Sequence, residues 1–162
     1  MLFTQEIERF LHHAQHQDYL PCSLLLHGHA EIISTVPALM YKYVEMADET
    51  LLRMLLQYGL DVNVQDFGGR TLLSFACKLG DSSLIAFLLE QGADASIVQD
   101  SGETPLMVAA ARGNLSCIKL LLEHNADLNY RSGDGRTALS EAIDNFQTEA
   151  VHFLLGNGVL RA

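Results

Sequence analysis

Gly102-Glu103-Thr104-Pro105-Leu106-Met107-Val108-Ala109 is the stretch from which the fold can be read. Its last six residues, Thr104 to Ala109, have a counterpart 33 residues earlier, Thr71-Leu72-Leu73-Ser74-Phe75-Ala76. They have another 33 residues later, Thr137-Ala138-Leu139-Ser140-Glu141-Ala142. Gly69, Gly102 and Gly135 each stand two residues before the threonine. Leu88-Leu89 recurs as Leu121-Leu122 and Leu154-Leu155, and Leu55-Leu56 extends the series backwards; Gly59, Gly92, Asn125 and Gly158 share one phase. Separate features held in one register over four periods identify a repeat architecture.

Each unit has a local physical reading. The threonine hydroxyl caps a helix by accepting from an orphan N–H of its first turn. Pro105 takes the first helical position, where a missing N–H costs nothing. Gly80 or Gly113 ends this short inner helix in a left-handed conformation. A second helix starts behind Asp81 or Asn114, carries the leucine pair on an apolar stripe, and ends at Gly92 or Asn125. A hairpin-like loop then leads to the next glycine. One such unit has no closed core and buries its apolar faces only by stacking on its neighbours.

The pattern resembles the ankyrin repeat, which is written Gly-x-Thr-Pro-Leu-His-x-Ala at its start and Leu-Leu-Leu-x-x-Gly-Ala-Asp-x-Asn at its end. Gly102 to Leu106 and Leu120-Leu121-Leu122-Glu123-His124-Asn125-Ala126-Asp127-Leu128-Asn129 match it closely, and the resemblance runs from about Leu51 to Gly158. Ser74, Met107 and Ser140 stand where the family has its histidine. The resemblance implies an all-α solenoid of about five helix-turn-helix repeats with hairpin-like loops. We place them at about 3–32, 33–65, 66–98, 99–131 and 132–162, as a single domain with degenerate caps at both ends. In the second repeat Ala38 occupies the threonine position, with Ser34 or Thr35 as an earlier cap. In the first, Leu24 to Glu31 echoes Leu120 to Asp127, and Phe10 is the expected inner core residue.

Composition agrees and narrows the function classes. The chain has 162 residues, 49% apolar and 19% charged, which suits one globular domain or a short array. Twenty acids against ten bases give a net charge of −10, which opposes generic binding to nucleic acid. No apolar run reaches the roughly 18 residues that would span a bilayer. Acids at Glu6 and Glu8 stand where a secretory signal carries positive charge. Cys22, Cys77 and Cys117 are scattered and lie in apolar stretches, which suits buried thiols in a reducing compartment. A cytoplasmic protein, monomeric when free, is expected.

Catalytic constellations are sparse. His12 and His16 stand i, i+4 on one helix face, a zinc-ligand spacing, but no His-Glu-x-x-His pattern and no evident third ligand accompany them. A solvated cap face accounts for them better, and a small metal-dependent enzyme at this site is the rival of another class. Glu141 and Asp144 mimic a carboxylate pair, but exposed repeat positions explain them. The serines sit in no nucleophile elbow, and the glycines follow the repeat period rather than a phosphate loop. No cofactor is expected.

What remains is a surface. The resemblance implies a concave face of inner helices and loop tips that binds protein. Positions that do not recur lie at −4, −3, −1, +3, +4, +7 and +8 from the threonine. They hold five of the ten bases, Lys42, Arg70, Lys78, Arg112 and Arg136, together with Tyr41, Met46, Phe67, Phe75, Leu79 and Met107. Aromatic residues, Met and Arg are enriched where interfaces concentrate their binding energy. These eleven residues are the expected partner site. The expected function is a non-catalytic module that binds, masks or inhibits a protein, as an immunity or antitoxin-like protein facing a basic toxin. A host-directed effector or a scaffold adaptor is the alternative.

Overall fold

The computed structural model describes residues 9, 10, 12–14, 16, 17, 20, 22 and 49–158. Between 49 and 158 it has seven helices: α1 (Glu49–Gln57), α2 (Leu72–Leu79), α3 (Ser82–Glu90), α4 (Pro105–Ala111), α5 (Leu115–Glu123), α6 (Ala138–Asp144) and α7 (Thr148–Gly156). There is no strand among the described residues. α2 packs on α3, α4 on α5 and α6 on α7 as antiparallel pairs. The inner helices stack in the order α2, α4, α6 and the outer ones in the order α3, α5, α7. Most of the expected repeat at 3–32, and residues 33–48 of that at 33–65, fall outside the described residues. Within these two repeats, Phe10 and Cys22 are fully buried, and α1 is the outer helix that precedes the first complete pair.

Local chemistry sets each helix boundary. The hydroxyls of Thr71, Thr104 and Thr137 accept from the backbone N–H three residues on. Ser74 and Ser140 close capping boxes by accepting from the threonine N–H, at 3.0 and 2.9 Å. Two of the three residues in the family's histidine position thus tie down their own helix start, and the third, Met107, fills the core at 1% exposure. Asp81 and Asn114 cap α3 and α5 through their side-chain oxygens, whereas Gln147 before α7 makes no such bond. α1, α3 and α5 end in Schellman turns, with Leu60, Ala93 and Ala126 donating to the carbonyls of Leu55, Leu88 and Leu121.

The core is one continuous seam. Leu72, Leu73, Ala76 and Cys77, then Leu106, Ala109 and Ala110, then Ala138 and Ala142 line the inner row. Small residues let α4 and α6 approach closely, while Leu84, Ile85, Leu88, Ile118, Leu121 and Leu154 fill the outer row. On the convex side Arg53 lies 4.5 Å above the Phe87 ring and Lys119 5.5 Å from the Phe153 ring, each reaching one repeat forward. Cys77 and Cys117 are buried and free, as expected. Burial pushes the Cys77 thiol far up; burial, then the charge of Asp81, pushes Cys117 up to about 11.

The inner-to-outer turn breaks its own pattern once. Gly80 and Gly113 hold φ of 79° and 68°, but the third turn puts Phe146 there, at φ 58°. A bulky side chain in this region is strained. The Phe146 ring is 90% exposed, and Ile143 beside it is 52% exposed, where Cys77 and Ala110 in the same register are covered by the following repeat. The last repeat therefore presents apolar side chains where a cap turns polar ones outward.

Candidate functional site

Three hairpin-like loops frame the concave side. Asp66, Gln99 and Ser132 donate their N–H to the carbonyls of Arg70, Glu103 and Arg136, at 3.0, 2.9 and 3.0 Å. In the first loop Asp66 accepts from the N–H of Gly68 and of Arg70, both at 2.9 Å, and its carboxylate lies 2.6 Å from the Arg70 guanidinium. Burial pushes the Asp66 carboxyl up, but the hydrogen bonds from the Arg70 side chain and from the two backbone groups outweigh it and hold the group below its ordinary value. This turn leaves Phe67 at the tip, 94% exposed.

Between the loops and the inner helices lies an open groove of about 690 Å³ spanning three repeats. Gly68, Arg70, Ser74, Phe75 and Lys78 line it from the first, Gln99, Asp100, Ser101, Glu103, Val108, Ala111 and Arg112 from the second, and Glu141 and Asn145 from the third. Apart from Gln99, all of them fall at the non-recurring register positions read from the sequence. The Arg70 guanidinium lies 4.9 Å above the Phe75 ring, so Phe75, 9% exposed, forms the groove floor.

Of the expected partner-site residues, the structure brings Arg70, Phe75, Lys78 and Arg112 to this groove. Phe67 and Leu79 are exposed but do not line it. Tyr41, Lys42 and Met46 lie outside the described residues. Two placements differ from the expectation. Met107 is enclosed at 1% exposure, although Ser74 at the same +3 position borders the groove; in that repeat Val108 at +4 takes the place in the lining. Arg136 is committed within the molecule, at 2.7 Å to Asp134, 3.0 Å to Glu141, 3.3 Å to Glu103 and 2.6 Å to the Ser101 carbonyl. At the preceding joint the Gly68 carbonyl, in register with Ser101, accepts from the Asp100 N–H at 3.0 Å. The Arg136 side chain supplies, one joint later, the donor that backbone supplies at the first. Sequence reasoning passed over Val108 and Asn145, whose positions were in the register, and Phe146, whose signal is a non-glycine in a glycine position.

The His12 and His16 rings lie 4.5 Å apart, and a ring nitrogen of His16 sits 2.7 Å from the His12 carbonyl oxygen. Among the described residues no group of three or more His, Cys, Asp or Glu is arranged to hold a metal ion. No helix among them is long and apolar enough to cross a membrane.

The sequence matches the family described as Ankyrin repeats (3 copies) over residues 73–160, and that described as Ankyrin repeats (many copies) over 40–89. No curated protein matches it significantly. Ankyrin repeats are protein–protein interaction modules, generally without catalytic activity. With more than half of the 162 residues matched and the stacked helix pairs in place, the chain belongs to the ankyrin repeat family.

Proposed function

We propose that this chain is a non-catalytic module that occupies and masks one protein partner through its concave side, acting as an inhibitor of the immunity or antitoxin kind. The carrying observation is the groove, where residues that do not recur line one open surface on a scaffold of residues that do. An array of ordered repeats supports this as a preformed surface, so little ordering entropy opposes binding. The net charge of −10 supports a basic partner, whose approach it would steer. Three free cysteines, all buried, support a cytoplasmic setting. A five-repeat monomer is the working unit, with Phe67 and Leu79 as rim anchors.

The test is affinity for a partner isolated with the whole chain as bait and identified by mass spectrometry. Phe67→Ala should weaken binding by about 1–3 kcal/mol. Arg112→Glu should change the association rate and its salt dependence, as charges at an interface rim do. Glu90→Lys, on the convex outer helix, should leave both unchanged. If Glu90→Lys abolishes binding while the other two leave it intact, the partner uses the convex side and the concave site is wrong.

A further inference from the structure

Seven Lys and Arg side chains lie between 49 and 158. Five are engaged by the molecule itself. Arg53 pairs with Glu49, Arg70 with Asp66, and Arg136 with three carboxylates. Lys119 lies against Phe153, and Arg131 donates to the Gly135 carbonyl. The other two, Lys78 and Arg112, are exposed and make no side-chain contact of this kind with any described residue. Both line the same groove, at the C-terminal ends of the neighbouring inner helices α2 and α4.

A helix C-terminus attracts cations, so each could serve only its own helix. The third inner helix argues against that reading. α6 has Asp144 and Asn145 at the registers of Lys78 and Arg112, and it ends in the same turn geometry. The scaffold does not need a cation there. In a chain of net charge −10, two unengaged cations side by side in one groove are also against the overall trend. The lining also holds apolar Phe75, Val108 and Ala111; of its carboxylates, Glu103 and Glu141 are paired with Arg136, which leaves Asp100 at the loop end of the groove.

We infer that the groove takes a linear segment of the partner bearing acidic side chains beside an apolar one, with the carboxylates against Lys78 and Arg112. The inference rests on the concave-site reading and adds the chemistry of the bound segment. A partner that is basic overall meets it by presenting a local acidic stretch: the net charge of the chain, to which Arg112 contributes, sets the approach, and the two cations also hold the seated contact.

The experiment is selection of a phage-displayed library of random dodecapeptides on the whole chain, followed by binding of the selected peptides to variants. Lys78→Glu with Arg112→Glu removes the cations without disturbing an internal contact. Ala111→Tyr fills the groove with bulk and leaves the charges. Circular dichroism checks that both variants fold. Selected peptides should be enriched in Asp and Glu next to an aromatic or aliphatic residue. They should lose about tenfold or more in affinity with the double charge reversal, the scale of two solvent-exposed ion pairs made repulsive, and should lose binding with Ala111→Tyr. Basic or neutral peptides that Ala111→Tyr still displaces would overturn the acidic-segment inference and leave groove binding standing. Peptides indifferent to both variants, or no enrichment at all, would overturn the inference and count against the groove itself.

Discussion

Replacing Gly113 by valine tests the joint between the inner and outer helices. Gly113 has φ +68°, and a Cβ there would overlap the side-chain oxygen of Gln147 and come within 2.8 Å of its Cδ. Left-handed backbone costs an L-residue about 1–2 kcal/mol, and a β-branched one lies at the upper end. Gln147 must also move, which breaks its 2.9 Å bond to the Asn145 carbonyl. That exposed bond is worth about 0.5–1 kcal/mol, the low end of the usual range. The lost flexibility of the unfolded chain returns about 0.4–1 kcal/mol. The net expectation is about 1–3 kcal/mol of destabilisation. In a chain of this size each kcal/mol lowers Tm by about 2–4 °C. Gly133→Val is the control, since nothing lies within 4 Å of a Cβ at Gly133 and its φ is not positive. Its effect should stay within about 0.5 kcal/mol. Urea unfolding followed by circular dichroism gives both midpoints. Adding Gln147→Ala to the valine variant should recover the steric part and leave the backbone part. Equal midpoints for the two glycine variants would refute the assignment of strain to this joint.

Phe146→Gly should stabilise by about 0–1.5 kcal/mol and so raise the urea midpoint, because relief of a left-handed phenylalanine, about 1–2 kcal/mol, exceeds the added freedom of the unfolded chain, about 0.4–1 kcal/mol, and almost no burial is forfeited; a lowered midpoint would mean that the ring is held by contacts the exposure does not reveal. Asn114→Ala should destabilise by about 1–3 kcal/mol, since its oxygen caps α5 and its amide donates 2.8 Å to the Gly80 carbonyl of the preceding repeat, whereas Gln147→Ala, with no cap bond to lose, should cost clearly less by the same unfolding curve. Asp66, Asp94 and Asp134 all have folded-state values below the ordinary 3.8, Asp134 at about 2 through the hydroxyl of Ser132 and the guanidinium of Arg136. Their contribution is complete above the unfolded-state value and is lost as pH falls through the folded ones. The urea midpoint should therefore fall between about pH 4 and pH 2, and Asp66→Asn should flatten that slope; a midpoint rising toward acid would contradict it.

Much of the fold could be read because the signals that make it are local. Threonine caps, the glycine turns after inner helices and the Asp or Asn caps of outer helices act within a few residues of chain, and they recur every 33 residues. The same local logic missed Phe146, since nothing in its neighbourhood announces that a phenylalanine takes a glycine's conformation.

The site was legible only as a set of registers. Periodicity placed Ser74, Phe75, Met107 and Val108 together at +3 and +4, and could not say that Met107 is enclosed while the other three border the groove. The roughly 100° between consecutive positions around a helix decides burial only once the neighbouring repeat is in place. Arg136 read as a free cation although Asp134 and Glu141 stand two and five residues away; its other partners, Ser101 and Glu103, lie 35 and 33 residues upstream, and only stacking brings them within reach. By itself the sequence determined the repeat length, the helix boundaries, the fold class and the net charge, all properties of residues near one another in the chain or of their sum. The tertiary structure decided which cations remain unengaged, which apolar side chains stay exposed and where the groove lies, because exposure and pairing depend on what the next repeat brings alongside.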